Sequence, residues 1–209
     1  MQKTQEWKLQ QGNAVIVSGT DHGLFDTTLK QIKAKVQSEY PDAEILVFTG
    51  EEEDGAIFHR EVFTGSLFAS YRLLILRQAE KMLQYLSKSP NAVEEWKAGI
   101  PDRTMIVIQY SGNPTASILS LFGKQLHHIQ GKELYGNQIH EAIYDKARHL
   151  GLNFTEDALH ELRERLPPKM GSIEQALLRL RDILSPEQRQ KVTLELVREI
   201  IFPQAGCNI

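Results

Sequence analysis

The stretch RLLILRQAEKM, residues 72–82, joins a short apolar run to a helical pattern. Residues 73–76 are too few for a helix and lack polar alternation, which is typical of a strand buried on both faces. Between this run and the other short apolar runs lie longer segments in which apolar residues recur at helical spacing. The alternation predicts an α/β fold with a mainly parallel five-stranded sheet and helices on its faces. The other four predicted strands are residues 14–18, 44–48, 104–108 and, more weakly, 126–130.

The strand pattern stops after about Gly136, and the remaining sequence predicts helices alone. Ser172 with Gln175, and Ser185 with Gln188, have the spacing of a capping box, in which two side chains satisfy the free N–H groups of a helix start. The predicted helices begin in IHEAIYDKARHL and after Thr155, Ser172 and Thr193.

Length and composition limit the classes of function. A chain of 209 residues is long enough for two domains that each bury a core. We predict an α/β domain at residues 1–136 and a helical lid domain at residues 137–209. A net charge of -3 without a dense Lys/Arg run argues against strong attraction to nucleic acid by the chain as a whole.

Cysteine usage and hydropathy indicate the compartment. The single Cys207 excludes an intrachain disulfide and a four-cysteine zinc ribbon, which suits a reducing environment. The sequence starts without the apolar segment of a secretory signal, and it contains no run of about 18 apolar residues. We expect a cytoplasmic protein that makes no contact with a membrane.

The segment SGTDHGLFDTTLK, residues 18–30, follows the first predicted strand and opens the first helix. A phosphate-binding loop occupies this place in many nucleotide-binding proteins, and it carries a Lys and a hydroxyl residue after its last glycine. Gly19 and Gly23 keep a trace of such a loop, but two apolar residues follow Gly23. We predict a strand-to-helix turn capped by Asp21 or Thr20, without tight ATP binding.

Two more positions lack the chemistry of ATP hydrolysis. In a hydrolase of this build, the strand at residues 73–76 ends in an Asp that helps to hold magnesium and a Glu that orients water. Arg77 and Gln78 stand there instead. The segment GSIEQALLRL, residues 171–180, resembles the lid helix of AAA+ ATPases, with Glu174 where an Arg normally reaches phosphate. We therefore predict no ATP hydrolysis, no cofactor and no metal ion.

The residues resemble a known family, the delta subunit of the bacterial DNA polymerase III clamp loader. This resemblance implies an AAA+ fold that keeps its shape without hydrolysing ATP. It also implies no catalysis by this chain, although the family is classed with the DNA-directed DNA polymerase, a nucleotidyltransferase. The resemblance rests on residues 64–82, on the turn Gly19-Thr20-Asp21, on GLNFTEDALHEL at residues 151–162 and on residues 171–180.

The resemblance implies a mechanical role in DNA replication. Delta subunits bind the sliding clamp, the beta subunit, and open it so that primed DNA enters. The family's clamp-binding element is an exposed apolar pair that matches Leu67 and Phe68, with Tyr71 and Arg72 as possible rim contacts. The implied partners are the clamp, the gamma/tau and delta-prime subunits, and primed DNA. From the residues alone, Leu67 and Phe68 also fit a buried segment that leads into the strand.

Other interpretations stay open at this stage. Delta subunits usually carry a third, helical collar domain, and the sequence stops before one. Assembly with sibling subunits is therefore expected only if the full protein has a collar domain. A delta-prime-like or other AAA+ clamp-loader subunit is one alternative, although the siblings typically carry a four-cysteine zinc module. A divergent nucleotide-binding P-loop enzyme using Asp21 or His22 is another. A metal site at His127, His128 and His140 is disfavoured, because adjacent strand residues point to opposite faces.

Overall fold

A computed structural model describes residue 9 and residues 11–51, 54–66 and 68–203. Leu67 and Cys207 lie outside the described residues. Five strands form where the five apolar runs predict them, and β1, β3 and β4 are buried along almost their whole length. The strands are β1 Asn13–Gly19, β2 Glu44–Thr49, β3 Arg72–Arg77, β4 Thr104–Tyr110 and β5 Leu126–Gly131.

The five strands form one sheet in the order β2-β3-β4-β1-β5. The pairs β2 with β3, β3 with β4 and β4 with β1 are parallel, and Leu74 lies opposite Ile106 in the centre of the sheet. Parallel strands place their carboxyl ends at one edge, where ligands bind in open α/β sheets. The predicted fold class, a mainly parallel five-stranded sheet flanked by helices, is confirmed.

Helices connect the strands, and further helices follow β5. None of the described helices has the length and apolar character needed to cross a membrane. A short 3-10 turn, Gly123–Gln125, precedes β5. The helices are α1 His22–Glu39, α2 Gly55–Phe63, α3 Glu80–Lys88, α4 Pro90–Ala98, α5 Ala116–Leu121, α6 Asn137–His149, α7 Glu156–Arg165, α8 Met170–Ile183, α9 Pro186–Gln190 and α10 Leu194–Ile200.

The chain divides into two compact units, each with its own apolar core. The core of unit 1 lies around the sheet and includes the large aromatic residues Phe58, Trp96 and Phe122. The core of unit 2 is mainly aliphatic and lies among the helices that follow β5. The first six residues of α1, residues 22–27, belong to unit 2, although the rest of that helix belongs to unit 1. Unit 1 comprises Met1–Thr20 with Thr28–Gln130, and unit 2 comprises Asp21–Thr27 with Gly131–Ile209.

One of the two predicted capping boxes is confirmed and the other is wrong. The Ser185 side chain accepts from the backbone N–H of Gln188, and the Gln188 side chain accepts from the backbone N–H of Ser185, so α9 is an additional helix between α8 and α10. Ser172 caps nothing, because α8 begins two residues earlier at Met170 and Ser172 lies inside it.

Candidate functional site

The turn after β1 occupies the place of a phosphate-binding loop. Gly19 has a φ of 100°, in the left-handed region that a residue with a Cβ rarely adopts. Its backbone N–H donates to the carbonyl oxygen of Gly112 at 3.2 Å, which joins this turn to the loop after β4. A phosphate loop binds its ligand with such N–H groups. At Gly19 this group already has a protein acceptor.

Arg77 and Gln78 lie at the carboxyl edge of the same sheet, where β3 ends. The carbonyl of Arg77 accepts from the backbone N–H of Gly50 at 2.8 Å, and Gln78 has a left-handed φ of 51°. A Cβ at Gly50 would lie 2.4 Å from the carbonyl oxygen of Gln78, so the two turns pack backbone against backbone. Arg77 brings a cation to this position, and a cation does not coordinate magnesium.

Glu51 and Glu80 are carboxylates of the described residues at this edge, and each has a partner within unit 1. Glu80 accepts a hydrogen bond from the backbone N–H of Ser111, and Glu51 pairs with Lys81 at 3.7 Å. A cavity of about 400 Å³ opens beside them. Among the described residues, no group of three or more His, Cys, Asp or Glu side chains is placed to hold a metal ion.

In unit 2, the start of α1 is closed by a buried carboxylate. Asp21 is only 4% exposed, and its Oδ1 accepts from the backbone N–H of Leu24 at 3.2 Å. This confirms the predicted helix cap. Its Oδ2 accepts from the backbone N–H of Gly171 at 2.8 Å. A helix N-terminus attracts anions, and here a carboxylate of the chain itself fills that role.

Gly23 is explained by packing in unit 2. A Cβ at Gly23 would lie 3.2 Å from the backbone carbon of Gly171 and 3.3 Å from Nε2 of Gln175. The absence of a side chain therefore lets the start of α8 approach the start of α1 closely. This contact gives Gly23 a structural reason that involves no phosphate.

Glu174 is 5% exposed, and its Oε1 lies 2.7 Å from Nζ of Lys146 on α6. A buried carboxylate needs a charged or hydrogen-bonding partner, and this ion pair supplies one between two packed helices of unit 2. The sequence offered no signal for the pair, since the two residues lie far apart in the chain.

The loop between α2 and β3 presents an aromatic side chain to solvent. Phe68 is 93% exposed, the largest exposure among the large apolar side chains of the described residues. The alternative in which Phe68 is a core residue is therefore wrong. Ser66 Oγ accepts from the backbone N–H groups of Phe68 at 3.4 Å and Ala69 at 3.1 Å, which folds the loop into a tight turn.

Arg72 anchors the base of this loop. Its Nη1 donates to the backbone carbonyls of Glu61 at 2.6 Å and Thr64 at 2.5 Å, so it holds the end of α2. Its Nε donates to Glu44 at 2.8 Å, and its Nη2 pairs with the carboxylate of Glu61. Arg72 is 5% exposed and Tyr71 is 1% exposed, so both are buried and the predicted rim contacts are wrong.

A second anchor follows Phe68. The backbone N–H of Ser70 donates to Oδ2 of Asp42 at 3.0 Å, and the Ser70 hydroxyl donates to Oδ1 at 2.5 Å. Both bonds hold the pKa of the Asp42 carboxyl below its usual range, and the bond from the Ser70 hydroxyl has the larger effect. Asp42 is therefore an ionised acceptor at neutral pH.

One histidine of β5, His128, makes a hydrogen bond within unit 1. Nε2 of His128 lies 2.8 Å from the Ser18 hydroxyl. Burial lowers the pKa of both His127 and His128, which favours their neutral form. The alternative of a metal site that these histidines share with His140 gains no support from this geometry.

Comparison with known proteins shows the fold. No protein-family model matches the chain, and no curated protein matches it. Among solved structures, the DNA clamp loader delta protein of Bacillus subtilis is 18% identical with a TM-score of 0.66, and the match covers 91% of this chain and 58% of that one. The RuvB Holliday junction branch migration motor of Thermotoga maritima is 16% identical with a TM-score of 0.50, covering 90% and 60%. The chain thus spans about six-tenths of the length of these two structures, and it shares with them the AAA+ fold.

Proposed function

We propose that this chain is a clamp-loader subunit of the delta type, which binds a sliding clamp through Phe68 and does not hydrolyse ATP. The observation that carries the proposal is the exposure of Phe68 on an anchored loop. A phenyl ring held in water gains free energy when a partner covers it, and aromatic anchors dominate many protein interfaces. Leu67 remains a predicted second anchor from the sequence, and it lies outside the described residues.

The physical mechanism is insertion of an apolar side chain into a hydrophobic pocket of the ring. Full burial of a Phe side chain contributes about 2 kcal/mol. The hydrogen bonds of Ser66, Ser70 and Arg72 restrain described residues on both sides of Phe68 before binding, which lowers the entropic cost of association. In the proposed role, the same grip holds one interface of the ring open while primed DNA enters.

The turn after β1 and the start of α1 support a role without ATP hydrolysis. Gly19 donates its N–H to protein, Asp21 closes the start of α1, and Arg77 stands at the end of β3. The N–H of Gly19 already has an acceptor in the protein, and the carboxylate of Asp21 repels a phosphate group. The guanidinium of Arg77 does not bind magnesium. The wider setting in our proposal is DNA polymerase III in the cytoplasm, with gamma/tau and delta-prime as further partners.

A calorimetric titration with the sliding clamp of the same organism tests the proposal. We expect saturable binding by the natural chain and at least tenfold weaker binding by Phe68→Ala. Phe202→Ala is the matched control, because Phe202 is also exposed, at 67%, and lies in unit 2. The double variant Leu67→Ala with Phe68→Ala should abolish binding. Equal affinities of the natural chain and Phe68→Ala would refute the assignment.

A further inference from the structure

We infer that Asp42 is a positioning residue for Phe68, holding the loop in the conformation that the clamp receives. This inference rests on the proposed function, since it concerns the same apolar contact. Asp42 does not touch the partner in this scheme. It acts through Ser70, which lies two residues after Phe68 in the chain.

The contact between Asp42 and Ser70 continues the pairing of two strands. Glu44 lies opposite Arg72 at the start of the β2 and β3 ladder, a separation of 28 residues. Asp42 and Ser70 are separated by the same 28 residues. The backbone N–H of Glu44 also donates to the carbonyl of Tyr71 at 2.9 Å. The side chain of Asp42 therefore extends the ladder beyond the last backbone pair, into the loop that carries Phe68.

The turn that carries Asp42 is itself ordered. The backbone N–H of Ala43 donates to the carbonyl of Tyr40 at 3.0 Å, which closes a turn between α1 and β2. The Tyr40 ring stacks on the buried Tyr71 ring, with centroids 4.7 Å apart. Asp42 thus projects from a fixed support, and its two oxygens hold both donors of Ser70.

The loop is then restrained on both sides of Phe68. Arg72 binds the carbonyl of Thr64 ahead of the loop, and Asp42 binds Ser70 behind it. Arg72 is buried in the fold, so its removal would disturb much more than the loop. Asp42 is exposed, which makes it the residue that can be removed without opening the core. A loop freed at Ser70 must lose conformational entropy when Phe68 is bound, and affinity falls for that reason.

The test combines Asp42→Ala, Ser70→Ala and the double variant, with Asp145→Ala on α6 as an exposed control in unit 2. We expect each single variant to bind the clamp about fivefold more weakly, and the double variant to bind no more weakly than either one, because both remove one interaction. Thermal midpoints should fall only slightly, because the pair is exposed to solvent, and Asp145→Ala should bind normally. Nitrogen-15 relaxation should show lower order at the N–H groups of Phe68 and Ala69 in the variants of the pair.

Three results would overturn the inference: normal clamp affinity in the single variants, additive losses in the double variant, or unchanged order at Phe68 and Ala69. A lower thermal midpoint with normal affinity would show a merely structural contact and also count against it. Failure of the natural chain to bind the clamp would instead refute the proposed function. The relaxation data would then decide alone whether Asp42 positions the loop, since they need no partner.

Discussion

The backbone N–H of Gly171 donates to the carboxylate of Asp21 at 2.8 Å and so joins residues that lie 150 positions apart. The other oxygen of the same carboxylate accepts from Leu24. One buried side chain therefore caps the first turns of both α1 and α8 within unit 2. Free N–H groups at helix starts need acceptors when they are buried, and a single carboxylate meets this need twice.

Gly171→Ala should strongly destabilise unit 2. A Cβ at this position would lie 2.2 Å from the backbone nitrogen of Leu24 and 2.6 Å from Oδ1 of Asp21. Relief of such a clash requires the two helix starts to separate, and we expect a loss of about 3 kcal/mol in the free energy of unfolding. Urea denaturation followed by circular dichroism measures it. Gly65→Ala is the control, because its Cβ would meet no atom within 4 Å. Equal effects of the two variants would contradict the packing described.

Tyr71→Phe should leave stability unchanged or raise it by about 1 kcal/mol. The Tyr71 hydroxyl is buried and lacks a hydrogen-bond partner among the described residues. Its removal therefore eliminates a desolvation cost that no hydrogen bond offsets. Burial raises the pKa of this hydroxyl, which therefore stays protonated. Tyr71→Leu is the control, since it also loses the stack on Tyr40 and should destabilise. Thermal denaturation compares the three proteins, and a clear loss in Tyr71→Phe would reveal a partner.

Glu161 should make the free energy of unfolding of unit 2 depend on pH in the acid range. The hydrogen bond from Arg198, followed by that from Arg165, lowers the pKa of Glu161 from 4.5 to about 2. A lowered pKa in the folded state stabilises the protein fully above the unfolded value, and this stabilisation fades as the pH falls from 4.5 towards 2. Glu161→Gln should thus be less stable than the natural chain at pH 7, and the difference should narrow across that acid range.

Urea denaturation at a series of pH values measures the effect. Glu164→Gln, an exposed change on the same helix, is the matched control and should show no such narrowing. A difference that stays constant down to pH 2 would rule out the ion pairs of Glu161 as its source.

ATP with magnesium should produce neither saturable heat nor phosphate release when it is mixed with the chain. The start of α1 already holds the carboxylate of Asp21, which repels phosphate, and Arg77 offers no ligand to magnesium. Isothermal titration and a phosphate-release assay measure both quantities, with a hydrolysing AAA+ protein as the positive control. Turnover by the chain would favour the nucleotide-enzyme alternative over the delta-type proposal.

The sheet was predictable because its signal is local. Each buried parallel strand is a short, continuous apolar run, and such a run remains visible without any knowledge of its neighbours. The start of α8 was not predictable in the same way. Ser172 and Gln175 have the spacing of a capping box, but the N–H of Gly171 finds its acceptor in Asp21, which no local pattern reveals. Tertiary contacts decided this boundary.

The candidate site also combines a feature that was expected correctly with two that tertiary contacts decided. The resemblance pointed to Phe68 as exposed, and the structure places its side chain in solvent. Tyr71 and Arg72 were expected beside it at the surface, and both are buried because the ladder of β2 and β3 begins there. Glu44, the partner of Arg72, was a signal that could have been used. Opposite charges at the starts of two neighbouring strands often pair, and such a pair would have predicted that Arg72 lies in the sheet.

The division of α1 between the two units affects the order in which the parts of the chain can complete their fold. Asp21 leaves the ribosome 150 residues before Gly171, so the carboxylate that caps α8 is made well before the helix that it caps. A fragment that begins at residue 131 would lack this acceptor altogether, whatever its own helical propensity. The helices of unit 2 that follow β5 therefore complete their fold around a turn that is synthesised before them.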